Sequence, residues 1–203
     1  MSKIPHVVIL GGGFGGLSAA NEIRNSLDSS KVNITIIDKK DWFMVGFAKL
    51  WIMNGSRTFE NSIGSLNELP KKQINFIKDE IVEINTKNNF VKTKSENISF
   101  DFLIISMGAV LAPEKIPGLT ENGFNLYDHN QLDEINQRLN KIESGKIAIV
   151  IMGMPYKCPP APFEASLLVD SMLRKRGIRD SVEIDFYSPA PITLPAAGPE
   201  VSK

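Results

Sequence analysis

Cysteine is almost absent from this chain. Of its 203 residues one, Cys158, is a cysteine and two, His6 and His129, are histidines. An intrachain disulfide is therefore excluded, and no spacing of histidine and cysteine suits zinc, so both histidines are expected to be structural or solvent-facing. Net charge is absent as well: 23 Lys and Arg balance 23 Asp and Glu, leaving no field to gather nucleic acid or anionic lipid. A long apolar run is the third absence. The greasiest stretch, Trp42 to Met53, is interrupted by Lys49 and falls short of the ~20 residues of a spanning helix; it is long enough only to lie on a membrane. With no cationic segment leading into an apolar core and a cleavage site, secretion is not expected and a cytoplasmic location is.

What is present begins with a buried strand. Val7, Val8, Ile9 and Leu10 form a continuous apolar run between Pro5 and a cluster of glycines, the pattern of a strand covered on both faces. Leu17, Ala20, Ile23 and Leu27 then recur at helical spacing, and Val32 to Ile37 returns to strand composition. The first forty residues thus spell strand, glycine turn, helix, strand. From Ile74 to Phe102 the grammar changes to short strands, Ile74 to Ile77, Ile81 to Ile84 and Phe90 to Thr93, with Asn88 and Asn89 suited to a turn; this predicts an inserted antiparallel layer. Phe102 to Ser106 is a further strand, and Pro113, Pro117, Gly118 and Gly123 break the chain after it, placing a boundary between Gly118 and Asp128. Beyond it, Gln131 to Ile142 reads as a helix with Leu132, Ile135, Leu139 and Ile142 on one face. Lys146 to Met152 reads as another buried strand, Phe163 to Lys175 as a helix and Asp180 to Tyr187 as a strand. Two strands are few for a parallel sheet, so this second unit reads as cut short.

Gly11-Gly12-Gly13-Phe14-Gly15-Gly16 satisfies G-x-G-x-x-G between the first strand and helix. The first glycine permits the turn, Gly13 lets a pyrophosphate approach the backbone, and Gly16 lets helix and sheet close up, while the helix start offers N–H groups to phosphate oxygens. Asp38 ends the second strand where an adenosine ribose would present its hydroxyls, and its charge opposes a 2'-phosphate. FAD or NAD is favoured over NADP. The alternative is a glycine turn with no ligand and a strand-end carboxylate in solvent.

These features, with Phe102-Asp-Phe-Leu-Ile-Ile-Ser-Met-Gly108, Pro117-Gly118 and Tyr156-Lys-Cys-Pro-Pro-Ala-Pro-Phe-Glu-Ala-Ser-Leu-Leu-Val-Asp170, give the chain a marked similarity to other proteins. It resembles the FAD-dependent pyridine nucleotide-disulfide oxidoreductase superfamily, and most closely its sulfide:quinone oxidoreductase and flavocytochrome c sulfide dehydrogenase branch, N-terminal part only. The resemblance implies an α/β fold: a Rossmann-like FAD-binding domain over 1–120 with inserted antiparallel strands, then an incomplete second Rossmann-like domain over 121–203. It implies FAD as cofactor, held by Gly11, Gly13, Phe14, Gly15, Gly16, Asp38, Lys39, Ser106, Met107 and Gly108. Met107 stands where threonine is common in the family, so one hydroxyl contact is lost and a backbone contact kept.

The same resemblance implies a small sulfur reductant and a quinone or similar acceptor as partners. A peripheral membrane contact at the inner face of the cell membrane would come through a C-terminal part absent from these 203 residues, and a homo-oligomer is compatible with it. In that branch a cysteine-proline turn leads into a helix beside the flavin, which makes Cys158 and Glu164 the catalytic candidates. Cys158 is either a sulfur nucleophile, its thiolate favoured by the helix start and Lys157, or an inert apolar cysteine. Glu164 is either a proton shuttle or a first-turn acid complementing the helix dipole. The family's additional cysteines are missing: Leu126-Tyr-Asp-His-Asn130 holds none. After Met152 the turn Gly153-Met-Pro-Tyr-Lys-Cys158 is not a glycine-rich phosphate turn, and Asp185 is followed by Phe186, Tyr187 and Ser188, so NAD(P)H is not expected at a second site. Two alternatives remain: a type II NADH dehydrogenase-like or ferredoxin-reductase-like flavoenzyme, and a non-catalytic FAD-binding remnant acting through protein contacts.

Overall fold

A computed structural model describes residues 3–202, which fold as two compact units, one of residues 3–44 and 63–110 and the other of residues 45–62 and 111–202. In the first unit, β1 (His6–Leu10) runs into α1 (Phe14–Ser26) and β2 (Asn33–Asp38), and β3 (Trp42–Met44) pairs with β4 (Ile63–Ser65). Then come β5 (Asn75–Lys78), β6 (Ile81–Asn85), β7 (Phe90–Thr93), β8 (Asn97–Ser99) and β9 (Phe102–Ile105).

The main sheet is parallel, in the order β5-β2-β1-β9, with Leu10 level with Ile37 on one side and Ile105 on the other. Its central strands β1 and β2 bury both faces, which is why β1 reads as an unbroken apolar run. Val7 and Ile9 join Ala20, Ile34, Ile36 and Leu66 on the α1 face. Val8 and Leu10 join Ile37, Val91, Ile98 and Phe100 beneath the antiparallel layer. Between Val7 and Val8, alternation of side chains across the strand thus separates two cores.

The antiparallel layer is β6-β7-β8, and Asn89 turns the first hairpin with φ 51°. The expectation that Ile74 to Ile77 belongs to this layer is corrected: β5 pairs parallel with β2, Thr35 level with Asn75. Ile74, fully buried on the α1 face, pulls the strand into the main sheet. The layer's third member is β8, whose short polar-flanked run gives little strand signal.

The chain leaves β1 toward β2 and returns on the opposite side as β9, so the strand order reverses at β1. The carboxyl ends of β1 and β9 therefore bound the crevice where open α/β sheets bind ligands.

The second unit contains α2 (Ala48–Met53), α3 (Leu119–Asn122), α4 (Leu132–Lys141), β10 (Gly145–Val150), α5 (Ala161–Lys175) and β11 (Val182–Tyr187). β10 and β11 pair in parallel. Ala161, Ala165, Val169 and Leu173 form the buried stripe of α5, and Phe163 stacks on Phe186 of β11 at 4.5 Å. Arg176 ties the end of α5 to α4 by donating to the carbonyls of Leu139 and Ile142 at 2.6 and 2.7 Å.

The expectation of a buried strand at Lys146 to Met152 is corrected here. β10 is half-buried at Ile147 and Ile149 and exposed at Lys146, Ala148 and Val150. Among the described residues its sheet has two strands, so one face meets α5 and the other meets solvent.

Candidate functional site

The glycine turn sits directly on the end of β1. Gly11 adopts φ 102°, a conformation open to glycine and strained for other residues, and its N–H donates to Ile37 O at 2.8 Å. The glycines then divide by what surrounds them. A Cβ on Gly11 would lie 2.4 Å from the carbonyl oxygen of Ser106, and one on Gly16 would lie 1.9 Å from the carbonyl oxygen of Gly11. Both are closed against backbone. A Cβ on Gly13 would meet nothing within 4 Å. Gly13 is thus small beside open space, the cradle that a dinucleotide pyrophosphate requires.

Gly13 is also the N-cap of α1, with no side-chain cap, and the first turn carries no acidic residue. The leading N–H groups of a helix have no intrahelical acceptor, and here the N-cap supplies no side chain to accept from them, so the terminus is suited to an anion. Phe14, the first helical residue, is 60% exposed and packs edge-on to Phe43 at 4.9 Å.

Asp38 ends β2 beside this turn. Its Oδ2 accepts from the N–H of Gly12 at 2.7 Å and its Oδ1 from the N–H of Lys40 at 2.9 Å. The carboxylate therefore fastens the glycine turn to β2 before any ligand arrives, and each oxygen keeps a lone pair for a ribose hydroxyl. Lys39 is exposed, while Lys40 lies over the Trp42 ring at 4.4 Å.

Ser106 follows β9 at the level of the turn. Its N–H and its hydroxyl both donate to Leu10 O, at 2.8 and 2.9 Å. Met107 is 54% exposed, and Gly108 has φ 73° with open space where a Cβ would stand. The structure thus brings Gly11 to Gly16, Asp38 and Ser106 together at the crevice, with Met107 presenting an apolar side chain to solvent.

In the second unit Cys158 is an exposed free thiol, so it is not a buried apolar packing residue. Its φ is 55°, left-handed backbone that a cysteine adopts at a cost and that concentrates at functional positions. The helix that follows is a poor anion site. Pro160 and Pro162 have no N–H, and Ala161 N–H is spent on Cys158 O at 3.0 Å. Glu164 lies exposed in the first turn of α5. Asp185 is engaged by Lys146 at 2.9 Å and by the Tyr187 hydroxyl at 3.2 Å, and Lys146 holds its carboxyl below the usual carboxylate range.

One residue near Cys158 was not singled out from the sequence. The hydroxyl of Tyr127 is buried with no hydrogen-bond partner among the described residues. Burial first, then the charges of Cys158 and Tyr156, pushes its pKa up to about 12. Its only sequence signal was a tyrosine in a segment notable for lacking cysteine. His6 Nε2 lies at hydrogen-bonding distance from Thr35 Oγ1, 2.8 Å, and His129 stacks on Phe59 at 5.8 Å and lies 3.9 Å from the Asp128 carboxylate.

Comparison with known proteins agrees with this geometry. The sequence profile of the family described as Pyridine nucleotide-disulphide oxidoreductase matches residues 5–153. The mitochondrial sulfide:quinone oxidoreductase of Dictyostelium discoideum is 30% identical over 198 residues, covering 93% of this chain and 43% of that protein. The crystal structure of the sulfide:quinone oxidoreductase from Aquifex aeolicus superposes with a TM-score of 0.82 at 31% identity, covering 90% of this chain and 42% of that one. A type II NADH:quinone oxidoreductase of Staphylococcus saprophyticus is 22% identical, covering 96% of this chain and 52% of its own length. The chain spans about half or less of the length of these relatives. Among the described residues no helix is long and apolar enough to cross a membrane.

Proposed function

The chain belongs to the pyridine nucleotide-disulphide oxidoreductase family, and from that premise we propose that it carries the FAD-binding part of a sulfide-oxidising flavoenzyme that passes electrons to a quinone or a similar acceptor. Family membership implies an FAD-binding Rossmann domain. In this reading residues 1–120 are that domain and 121–203 begin a second, nucleotide-binding-like one. The turn built from Gly11, Gly13, Phe14, Gly15 and Gly16 receives the pyrophosphate, with Gly13 facing it and Gly11 and Gly16 closing the turn against backbone, Asp38 and Lys39 lie at the adenosine ribose, and the turn of Ser106, Met107 and Gly108 passes near the cofactor.

The observation that carries the FAD assignment is the open space at Gly13, flanked by an uncapped helix start and by the Asp38 carboxylate. FAD when bound supplies a two-electron acceptor. The chain's own residues hold the diphosphate by backbone N–H groups and orient the ribose through a carboxylate. Overall, sulfide gives up two electrons and two protons as its sulfur rises to the zero-valent level, and a quinone takes up two electrons and two protons. Cys158 is the proposed sulfur-handling thiol: it is exposed and held in strained backbone. Glu164, exposed one turn into α5, is the proposed proton carrier.

Sulfide is preferred to NADH as the donor because the start of α5 has no N–H at Pro160 and Pro162 and spends that of Ala161 on Cys158 O, leaving few donors for a second dinucleotide. The test is reconstitution with FAD followed by rapid mixing with sulfide or NADH. Bleaching of the flavin by sulfide and not by NADH is expected. Bleaching by NADH would favour a type II NADH dehydrogenase-like or ferredoxin-reductase-like enzyme. Stable flavin binding with transfer from neither donor, in a full-length form, would favour a non-catalytic remnant.

A further inference from the structure

We infer that Ser106 is a positioning residue: its hydroxyl holds the Leu10–Gly11 peptide by its carbonyl, the Asp38 carboxylate holds the next peptide, Gly11–Gly12, by its N–H, and this clamp about Gly11 shapes the turn that meets the pyrophosphate. The clamp stands on geometry alone; its link to the pyrophosphate rests on the FAD reading above.

The Ser106 hydroxyl has one proton. It is directed at Leu10 O, 2.9 Å away, with Gly11 O as a longer second acceptor at 3.4 Å. On the next peptide, across the Gly11 Cα, Gly12 N–H donates to Asp38 Oδ2 at 2.7 Å. Each peptide unit is planar, so holding the Leu10 carbonyl before Gly11 and the Gly12 N–H after it fixes the two planes that meet at Gly11, and with them the direction in which Gly13 and Phe14 continue. The fit around Ser106 is close. A Cβ on Gly11 would lie 2.4 Å from Ser106 O, one on Gly16 3.0 Å from Ser106 Oγ, and one on Gly15 3.1 Å from Ser106 Cβ. Three of the turn's glycines are thus moulded against one residue. With its donor spent on backbone, Ser106 acts on a ligand through the turn rather than by touching it.

The test follows amide hydrogen exchange at Gly12 by NMR in the ligand-free 203-residue chain, for wild type, Ser106→Ala and Ser106→Thr. Alanine is expected to speed Gly12 exchange several-fold relative to Val8 and Ile36 in the same sample, and threonine, which keeps the hydroxyl, to restore it. Equal Gly12 rates in wild type and Ser106→Ala would overturn the clamp whether or not the chain binds FAD. Should the threonine methyl prevent folding, Ser106→Cys, a weaker donor of similar size, should fall between wild type and alanine.

The second readout is FAD affinity at a temperature where every variant is folded. One hydrogen bond corresponds to a loss of about two- to tenfold in Ser106→Ala, reversed by threonine. Faster Gly12 exchange with unchanged FAD affinity would overturn the link to the cofactor. A wild type that binds no FAD would count against the FAD reading and leave the exchange rates to decide the clamp.

Discussion

A Cβ on Gly16 would stand 1.9 Å from the carbonyl oxygen of Gly11, so α1 approaches the end of β1 as closely as backbone permits. Both sides of this contact are main chain, and neither can turn aside as a flexible side chain would. Gly16→Ala must therefore push helix from sheet. A cost of about 2–4 kcal/mol follows from forced backbone displacement in a packed core. For a chain of this size that lowers the thermal midpoint by roughly 5–15 °C. An unchanged midpoint in ligand-free protein would contradict the packing.

Arg24 holds the same unit at its other end. Its guanidinium donates to the carbonyls of Leu27, Val32 and Gln73 at 3.0, 3.1 and 2.9 Å, joining the exit of α1 to the approaches of β2 and β5. Methionine would keep the stem and leave three carbonyls short of a donor. Arg24→Met should lose about 2 kcal/mol, the scale of charge-assisted hydrogen bonds in a partly buried setting. Arg24→Lys should recover part of it, since one ammonium cannot span all three acceptors. Denaturant midpoints of the three proteins check the order.

Acid should weaken the junction of β5 and the antiparallel layer. Hydrogen bonding from the Thr93 side chain, then from Ser95 and the Glu80 N–H, holds the Asp79 carboxyl down at about 2 against an ordinary 3.8. A depressed carboxylate stabilises the fold above its unfolded pKa. That contribution is lost as pH falls from 3.8 through about 2. The thermal-midpoint advantage of wild type over Asp79→Asn should narrow across that window; a constant gap would remove the carboxylate from the explanation.

Much of the first unit was legible in the residues themselves. The run from Val7 to Leu10 announces a strand covered on both faces, and the spacing of Gly11, Gly13 and Gly16 separates a tight turn, an open position and a helix contact that the backbone then displays. The double duty of Asp38 was not legible, because its partner is an amide 26 residues away and a main-chain N–H leaves no mark on a sequence. The pairing of β5 was hidden for a different reason: four residues have no period that separates a parallel from an antiparallel neighbour. In the second unit, Pro155 already marked one missing N–H donor, whereas the Ala161 N–H turned back to Cys158 O leaves no mark on a sequence. The buried hydroxyl of Tyr127 needed coordinates.

Cys158 links strain to chemistry. Its left-handed φ of 55° suits glycine better than cysteine, so Cys158→Gly should be at least as stable as wild type, by up to about 1 kcal/mol. In the wild type the thiol should react with a disulfide reagent without denaturant, to one equivalent per chain. In the full-length enzyme Cys158→Ser should keep FAD and lose most sulfide-dependent flavin reduction, because a hydroxyl lacks the accessible pKa of a thiol. Normal reduction per flavin-loaded molecule would take Cys158 out of the mechanism.

The glycine cradle is tested most directly at Gly13, whose Cβ direction is empty and whose backbone, at φ −89° and ψ −162°, is extended. Alanine fits there without strain in the ligand-free protein but fills the space assigned to the pyrophosphate. Side-by-side FAD titrations of wild type and Gly13→Ala, with thermal midpoints on the same samples, separate ligand from scaffold. An unchanged midpoint with affinity for FAD reduced about tenfold or more, on the order of 1.4 kcal/mol, is the result expected. Equal FAD affinity in the two proteins, at equal stability, would contradict the assignment of the turn to the cofactor.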